Sequence, residues 1–332
     1  MVPITTPTES DHEGSIPSEP WLPLTTDSWD THVHIFDSAV GPYSPSRAYT
    51  PAQATLQQLL EFSSGLTQEQ PLKIVLVQPS PYGSDNTVLL HSLKQLHEGG
   101  RRSARGIAVV DIGRTSDEEL WSMHELGIRG LRINKQADGR SADLDALRQV
   151  IVETASRIKG LPNWKIQLFC APSTWDDLHA TISSLPVEVI ADHVGGMRAS
   201  SRLPSSLQVG TDGVVDPTKQ PGFESMVKLA KASKLIIKLS GLYRLSKMKE
   251  SGYDDLEPII TSLVKTVPDR LIWGSDWPHT GEGKDRLDRD LDKIEGFQDI
   301  DDRQLLRNLR RWVGDEEMWA RIMVTNPQRF YE

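Results

Sequence analysis

Eight short apolar runs, each followed by a stretch of helical or loop pattern, limit what this chain can fold into more than any other feature. The runs are 29–36, 73–78, 104–111, 128–133, 164–169, 187–192, 235–240 and 270–276. Most are nearly continuous in Val, Ile, Leu and Trp, as expected of strands covered on both faces. Between them lie segments such as 87–98 and 141–159, with apolar residues at three- and four-residue spacing. Strands alternating with helices predict βα units and a parallel sheet. Eight such units predict a distorted (β/α)8 barrel. The alternative, an open doubly wound sheet, normally carries a glycine-rich phosphate loop after its first strand. Residues 34–43, HIFDSAVGPY, contain no G-x-G-x-x-G.

The length, 332 residues, suits one barrel domain. Residues 1–27 are rich in Pro, Ser, Thr and Glu and are expected to form a disordered extension, leaving 28–332 for the barrel. The net charge of −9 argues against a nucleic-acid partner. No apolar stretch approaches the length of a membrane span. Cys170 is the single cysteine, so no intramolecular disulfide can form. With no recognisable signal peptide, a cytoplasmic protein is the expectation. A small molecule is the expected partner, and nothing sets the oligomeric state. Two long connections, 197–223 and 277–290, follow the sixth and eighth strands. They fall on the face where barrel active sites sit, and are either lids or surface insertions.

The chemistry-bearing residues gather at strand ends. His32 and His34 stand at i and i+2 on the first strand, so both imidazoles face one way. Asp30 and Asp37 flank them. His193 ends the sixth strand and Asp276 the eighth. Taken singly, each has an ordinary explanation, as a packed histidine or a turn aspartate. Three imidazoles and a carboxylate converging on one barrel mouth are hard to explain that way. Arg132 ends the fourth strand, inside the apolar run GLRI, and Arg244 follows the seventh. Guanidinium forks suit carboxylates. Ser80, Tyr82, Tyr49, Tyr243 and His279 are further donors at loop positions, and Lys238 lies inside IIKLS. Lys238 is either a substrate contact or a partner for an acid.

The segments DTHVHIFD (30–37), VQPSPYGSDN (77–86), GIRGLRIN (127–134), ADHVGG (191–196), IKLSGLYRLS (237–246), LIWGSDWPH (271–279) and VTNPQRFYE (324–332) occur in an order that resembles one family. It is the amidohydrolase-related group that contains 2-pyrone-4,6-dicarboxylate lactonase and sugar lactonases. The resemblance implies a distorted (β/α)8 barrel that opens a lactone. Asp276 would take a proton from the attacking water, while His32, His34 and His193 polarise the carbonyl. Arg132, Arg244, Tyr49, Ser80, Tyr82, Lys238, Tyr243 and His279 would contact the substrate.

The chain departs from the binuclear members of that superfamily. The fourth strand ends in Arg132-Ile133-Asn134 and the fifth reads Gln167-Leu168-Phe169, so the bridging ligand and the fifth-strand histidine are missing. The resemblance therefore implies no cofactor. One zinc or manganese on His32, His34 and Asp276 is the alternative. A second arginine expected soon after Arg132 has no obvious substitute in Lys135 or Arg140. Two rivals remain: a metal-dependent decarboxylase of the same superfamily, and a barrel that only binds a ligand.

Overall fold

A computed structural model describes residues 22–134, 143–204, 207, 215–282 and 290–332. All eight expected strands form: Trp29–Val33, Lys73–Val77, Arg105–Ala108, Ile128–Asn134, Lys165–Phe169, Val189–Ala191, Leu235–Leu239 and Leu271–Trp273. Each pairs in parallel with the next in chain order. The first and eighth strands meet at a parallel bridge between Val33 and Trp277. There the Asp276 amide donates to His32 O and the His34 amide to Trp277 O, each at 2.9 Å. The result is a nearly closed, distorted (β/α)8 barrel. Its closing seam sets Asp276 beside the histidine pair.

Most strands are shorter than the apolar runs that announced them. His34, Asp192, Ser240 and Asp276 all fall just beyond a strand end. At the mouth the backbone leaves the ladder so that side chains can turn into the site. The helices are α1 Leu56–Thr67, α2 Thr87–Glu98, α3 Asp117–Glu125, α4 Leu144–Ile158, α5 Thr174–Ser184, α6 Phe223–Lys231, α7 Glu257–Thr266 and α8 Asp302–Val313. The pattern over 87–98 marks α2 fully. That over 141–159 overreaches, because Asp143 caps α4 by accepting from the amides of Asp145 and Ala146.

Two cores follow from strand alternation. Outward residues such as Ile74, Leu131, Ile166, Val189, Ile237 and Leu271 pack against the helices. Inward residues Val75, Val77, Ile107, Ile190, Ile236 and Ile272 fill the barrel. Phe330 and Tyr331, from the helix Asn326–Tyr331, join that inner cluster. Trp29 belongs to it as well, although His32, an odd number of residues away, lines the site. The register irregularity between Asp30 and Val33 accommodates this change of side. Polar residues continue the same inward rows toward the mouth. Ile236 is followed by Lys238 and Ser240, and Ile190 by Asp192.

Some features were not foreseen. Short parallel strands Thr50–Pro51 and Ile294–Glu295 tie the first loop to the last. Of the extension 1–27, only residues 22–27 are described. Leu24 there is buried, and its amide donates to Leu66 O. Residues 205–206, 208–214 and 283–289 of the two long connections lie outside the described residues, as do Lys135 and Arg140. No helix among the described residues is long and apolar enough to cross a membrane.

Candidate active site

The four residues singled out at the strand ends come together. The Oδ1 oxygen of Asp276 lies 3.7 Å from His32 Nε2, 3.6 Å from His34 Nε2 and 4.0 Å from His193 Nε2. All four side chains are buried. The two carboxylate oxygens of Asp276 have different surroundings. Oδ2 accepts from Tyr243 Oη at 2.8 Å and from Arg244 Nε at 2.7 Å. Among the described residues Oδ1 has no hydrogen-bond partner, and neither does His32 Nε2.

Each imidazole is oriented by its other nitrogen. His34 Nδ1 lies 2.7 Å from Val77 O. A carbonyl can only accept, so Nδ1 carries the proton and the neutral ring turns the lone pair of Nε2 toward Asp276. His32 Nδ1 lies 3.2 Å from Asp192 Oδ1, which favours the same tautomer, and 3.4 Å from Lys238 Nζ, which favours the other. His193 Nδ1 meets Ser240 Oγ at 3.0 Å. Burial keeps these rings neutral, lowering His34 to about 3 and His193 to about 4. It also pushes His32 well below its usual value. Burial opposes the charge on Asp276 too. The adjacent Arg244 guanidinium outweighs it and holds the carboxyl well below the usual range.

Backbone strain gathers at the same place. Among the described residues, His193, Val194, Asp276 and His279 account for four of the eight non-glycine positions with positive φ. Each costs about 1–3 kcal/mol, and Val194, being β-branched, is the most unusual. Gly241, with φ +55°, permits the tight fit. A Cβ there would stand 2.6 Å from His193 Nδ1 and 3.0 Å from Asp276 Oδ2.

The other expected contacts divide. Arg132 is buried at the mouth, its Nε 3.2 Å from Asp192 Oδ2 and its Nη1 3.4 Å from Gln78 O. Its Nη2 has no partner among the described residues. Arg244 is fully engaged by the protein: Nε on Asp276, Nη1 on Gly281 O at 3.0 Å, Nη2 on Thr280 Oγ1 at 2.8 Å. It positions the carboxylate. Tyr243 does the same, since burial keeps its phenol protonated and donating. His279 stands behind Tyr243, ring to ring at 5.3 Å, and meets Asp302 Oδ2 at 2.9 Å. Burial alone would lower its pKa, but the Asp302 charge raises it. Tyr82 is buried away from the centre, accepting from the Asp37 amide at 2.8 Å. Ser80 opens the turn Ser80–Tyr82, two residues after Gln78, whose carbonyl meets Arg132 Nη1. Tyr49 is buried, and its phenol adds to the electrostatic environment of Arg244. Lys238 is wholly buried, donating to Thr31 O at 2.8 Å and Gln167 Oε1 at 2.9 Å. Of the two roles open to it, the geometry matches partner to an acid: Asp192 Oδ1 lies 3.8 Å away.

Asp192, Gln167, Ser240 and Asp302 were not among the sequence candidates. Strand parity could have found the first three, because each continues a row of inward-facing residues.

The sequence profile of the amidohydrolase family matches residues 29–332, and the chain is a member of it. The 4-sulfomuconolactone hydrolase of Hydrogenophaga intermedia is 30% identical over 311 residues, covering 92% of this chain and 88% of the relative. The 2-pyrone-4,6-dicarboxylate hydrolase of Comamonas testosteroni is 28% identical, over 95% of this chain and 93% of the relative. Among solved structures, a probable 2-pyrone-4,6-dicarboxylic acid hydrolase from Acinetobacter baumannii, crystallised with citric acid, superposes with a TM-score of 0.66. It is 23% identical over 92% of this chain and 99% of that one.

Proposed function

We propose that this protein hydrolyses the lactone ring of a small organic acid bearing an anionic group, with Asp276 as the base. The observation that carries the reading is Asp276 Oδ1. It belongs to a buried, ionised carboxylate and faces three imidazoles with no hydrogen bond of its own. Such an oxygen can accept a proton from water as the water attacks the ester carbonyl. The carbonyl carbon then gains a C–O bond, and the ring C–O bond breaks. The proton passes to the departing ring oxygen. The relatives named for a sulfomuconolactone and for a pyrone dicarboxylate support this choice of substrate class. In this reading Arg132, buried at the mouth beside Asp192, would hold the substrate's anionic group through its Nη2.

The absence of the fourth- and fifth-strand ligands leads to the expectation of a metal-free site. The tautomers favour the alternative. His34 Nε2 and Asp276 Oδ1 are both acceptors, and they face each other at 3.6 Å. Neutral rings with their protons on Nδ1 cannot donate to a carbonyl from Nε2. Acceptors turned on one another are reconciled by a bridging water, a proton or a cation. His32, His34 and Asp276 form a buried group able to hold a single divalent ion, and His32, Asp192 and His193 form a second. An ion on the first group would polarise the ester carbonyl and lower the pKa of a nearby water. Zinc or manganese is the expected identity.

Two measurements test these statements. A panel of lactones, assayed by product mass and by ring-opening absorbance, should show hydrolysis of at least one anionic lactone. Release of carbon dioxide would replace the reading with decarboxylation, and ligand binding without turnover would replace it with a binding barrel. Chelator treatment with elemental analysis should remove activity together with about one metal per chain, and one equivalent of zinc or manganese should restore it. Full activity at far below one metal per chain would return the site to metal-free catalysis.

A further inference from the structure

A cavity of about 360 Å³ leads outward from the candidate site, and its lining carries an excess of positive charge. Its inner end is marked by Phe169 and Arg244. The Phe169 ring lies edge-on to His193 at 4.7 Å, and Arg244 Nε holds Asp276. The cavity is therefore continuous with groups touching the catalytic centre. Three more cations line it: Arg198, Arg202 and Lys247. Glu282 is the single acid in the lining.

The charges are not equivalent. Arg244 is matched by Asp276 at 2.7 Å. Arg202 is matched by Glu282 at 2.7 Å, and its Nε also donates to Ser246 O at 3.0 Å. Arg198 and Lys247 are exposed, and neither side chain has a partner among the described residues. Two unmatched cations at one rim of a chain with net charge −9 form a local field opposite to the overall one. Arg132, another cation near the centre, is not part of this lining and stands beside Asp192.

Resting on the function proposed above, we infer that Arg198 and Lys247 form an outer subsite for a second anionic group of the substrate, a carboxylate or sulfonate. The ester end lies at Asp276. The distal anion lies along the cavity, beyond Arg244, where Arg198 and Lys247, without side-chain partners among the described residues, line the wall. The preferred substrate is a lactone dianion.

The test uses the full-length protein and the double variant Arg198→Gln/Lys247→Gln. On a lactone with two anionic groups, KM should rise about tenfold with kcat nearly unchanged, as expected for contacts equal in ground and transition states. On the matching lactone with one anionic group, KM should stay within about twofold. The wild-type preference for the dianion should also weaken as salt is raised, because both cations are exposed. Equal KM changes on both substrates, or none on either, would overturn the subsite. A second readout needs no turnover. Glutarate should bind the wild type more tightly than butyrate by calorimetry, and the double variant should lose that difference. If no lactone is hydrolysed but the glutarate preference is present and lost in the variant, the subsite stands and the proposed reaction fails. If lactones turn over but the preference is absent, the subsite fails alone.

Discussion

Replacing Asp276 with asparagine is expected to lower lactone hydrolysis by at least about 10²-fold, the scale of a lost general base. The substitution is nearly isosteric, so the fold should survive it. An amide oxygen can take the place of Oδ2 and still accept from Tyr243 Oη and Arg244 Nε. The amide nitrogen then lies where Oδ1 was. Its N–H groups face the Nε2 lone pairs of His32 and His34, previously 3.7 and 3.6 Å from an acceptor oxygen. The variant therefore gains donors where the wild type has facing acceptors. Its melting temperature should nonetheless fall by several degrees, because Arg244 Nε, 2.7 Å from Asp276 Oδ2, loses its counter-charge inside the protein. The two readouts must be taken together. A folded variant with normal turnover would remove Asp276 from the chemistry. An inactive variant that has also unfolded would say nothing about proton transfer, and Tyr243→Phe then provides the control. It removes one donor to Oδ2 while leaving the Oδ1 base in place, and should cost far less activity.

Much of this architecture was legible because its signals are local. A strand buried on both faces must be apolar throughout, and eight such runs separated by helical patterns leave few folds open. The i, i+2 spacing of His32 and His34 fixes both rings on one side with no tertiary knowledge. The convergence of His193 and Asp276 on them follows from a barrel that places all strand C-termini at one mouth. The choice of partner for each side chain was less legible, because it depends on distance across the barrel. Arg244 and Tyr243 read as substrate contacts, being polar residues just after a strand. In the structure the loop folds them back onto Asp276, as Gly241 allows. Tyr82 is a hydroxyl donor at a plausible loop position, yet its phenol is taken up by the Asp37 amide of the first loop. Lys238 could be recognised as inward-facing but not matched to Asp192. That aspartate sits beside a more conspicuous histidine, and its partners come from three other strands.

Asp192 is where the second large effect is expected. It is wholly buried and stands among three groups: Arg132 Nε at 3.2 Å, His32 Nδ1 at 3.2 Å and Lys238 Nζ at 3.8 Å. Burial works against its charge, but His32, Arg132 and Lys238 outweigh burial and hold the carboxyl well below the usual range. Asp192→Asn removes the one anion between two buried cations. Breaking such a cluster from one side costs about 3–5 kcal/mol, because the remaining charges lose their compensation. In a chain of this size that corresponds to a fall of roughly 5–8 °C in melting temperature. The pH dependence has a definite sign. A carboxyl whose pKa is depressed by folding stabilises the folded state above its unfolded value, near 3.9. That stabilisation is lost as the pH falls through the folded value. The gap between wild type and variant should thus be constant from pH 6 to 8 and should close only in acid below about pH 4. Removing Lys238 as well separates electrostatics from packing. If charge imbalance is the cause, Asp192→Asn/Lys238→Met should be less destabilised than the sum of its single variants. Strict additivity would mean that Asp192 acts through shape alone. Turnover should fall in Asp192→Asn independently of stability, because the single amide oxygen cannot accept from both Arg132 Nε and His32 Nδ1, and keeping it on the arginine turns an NH2 donor toward the ring nitrogen.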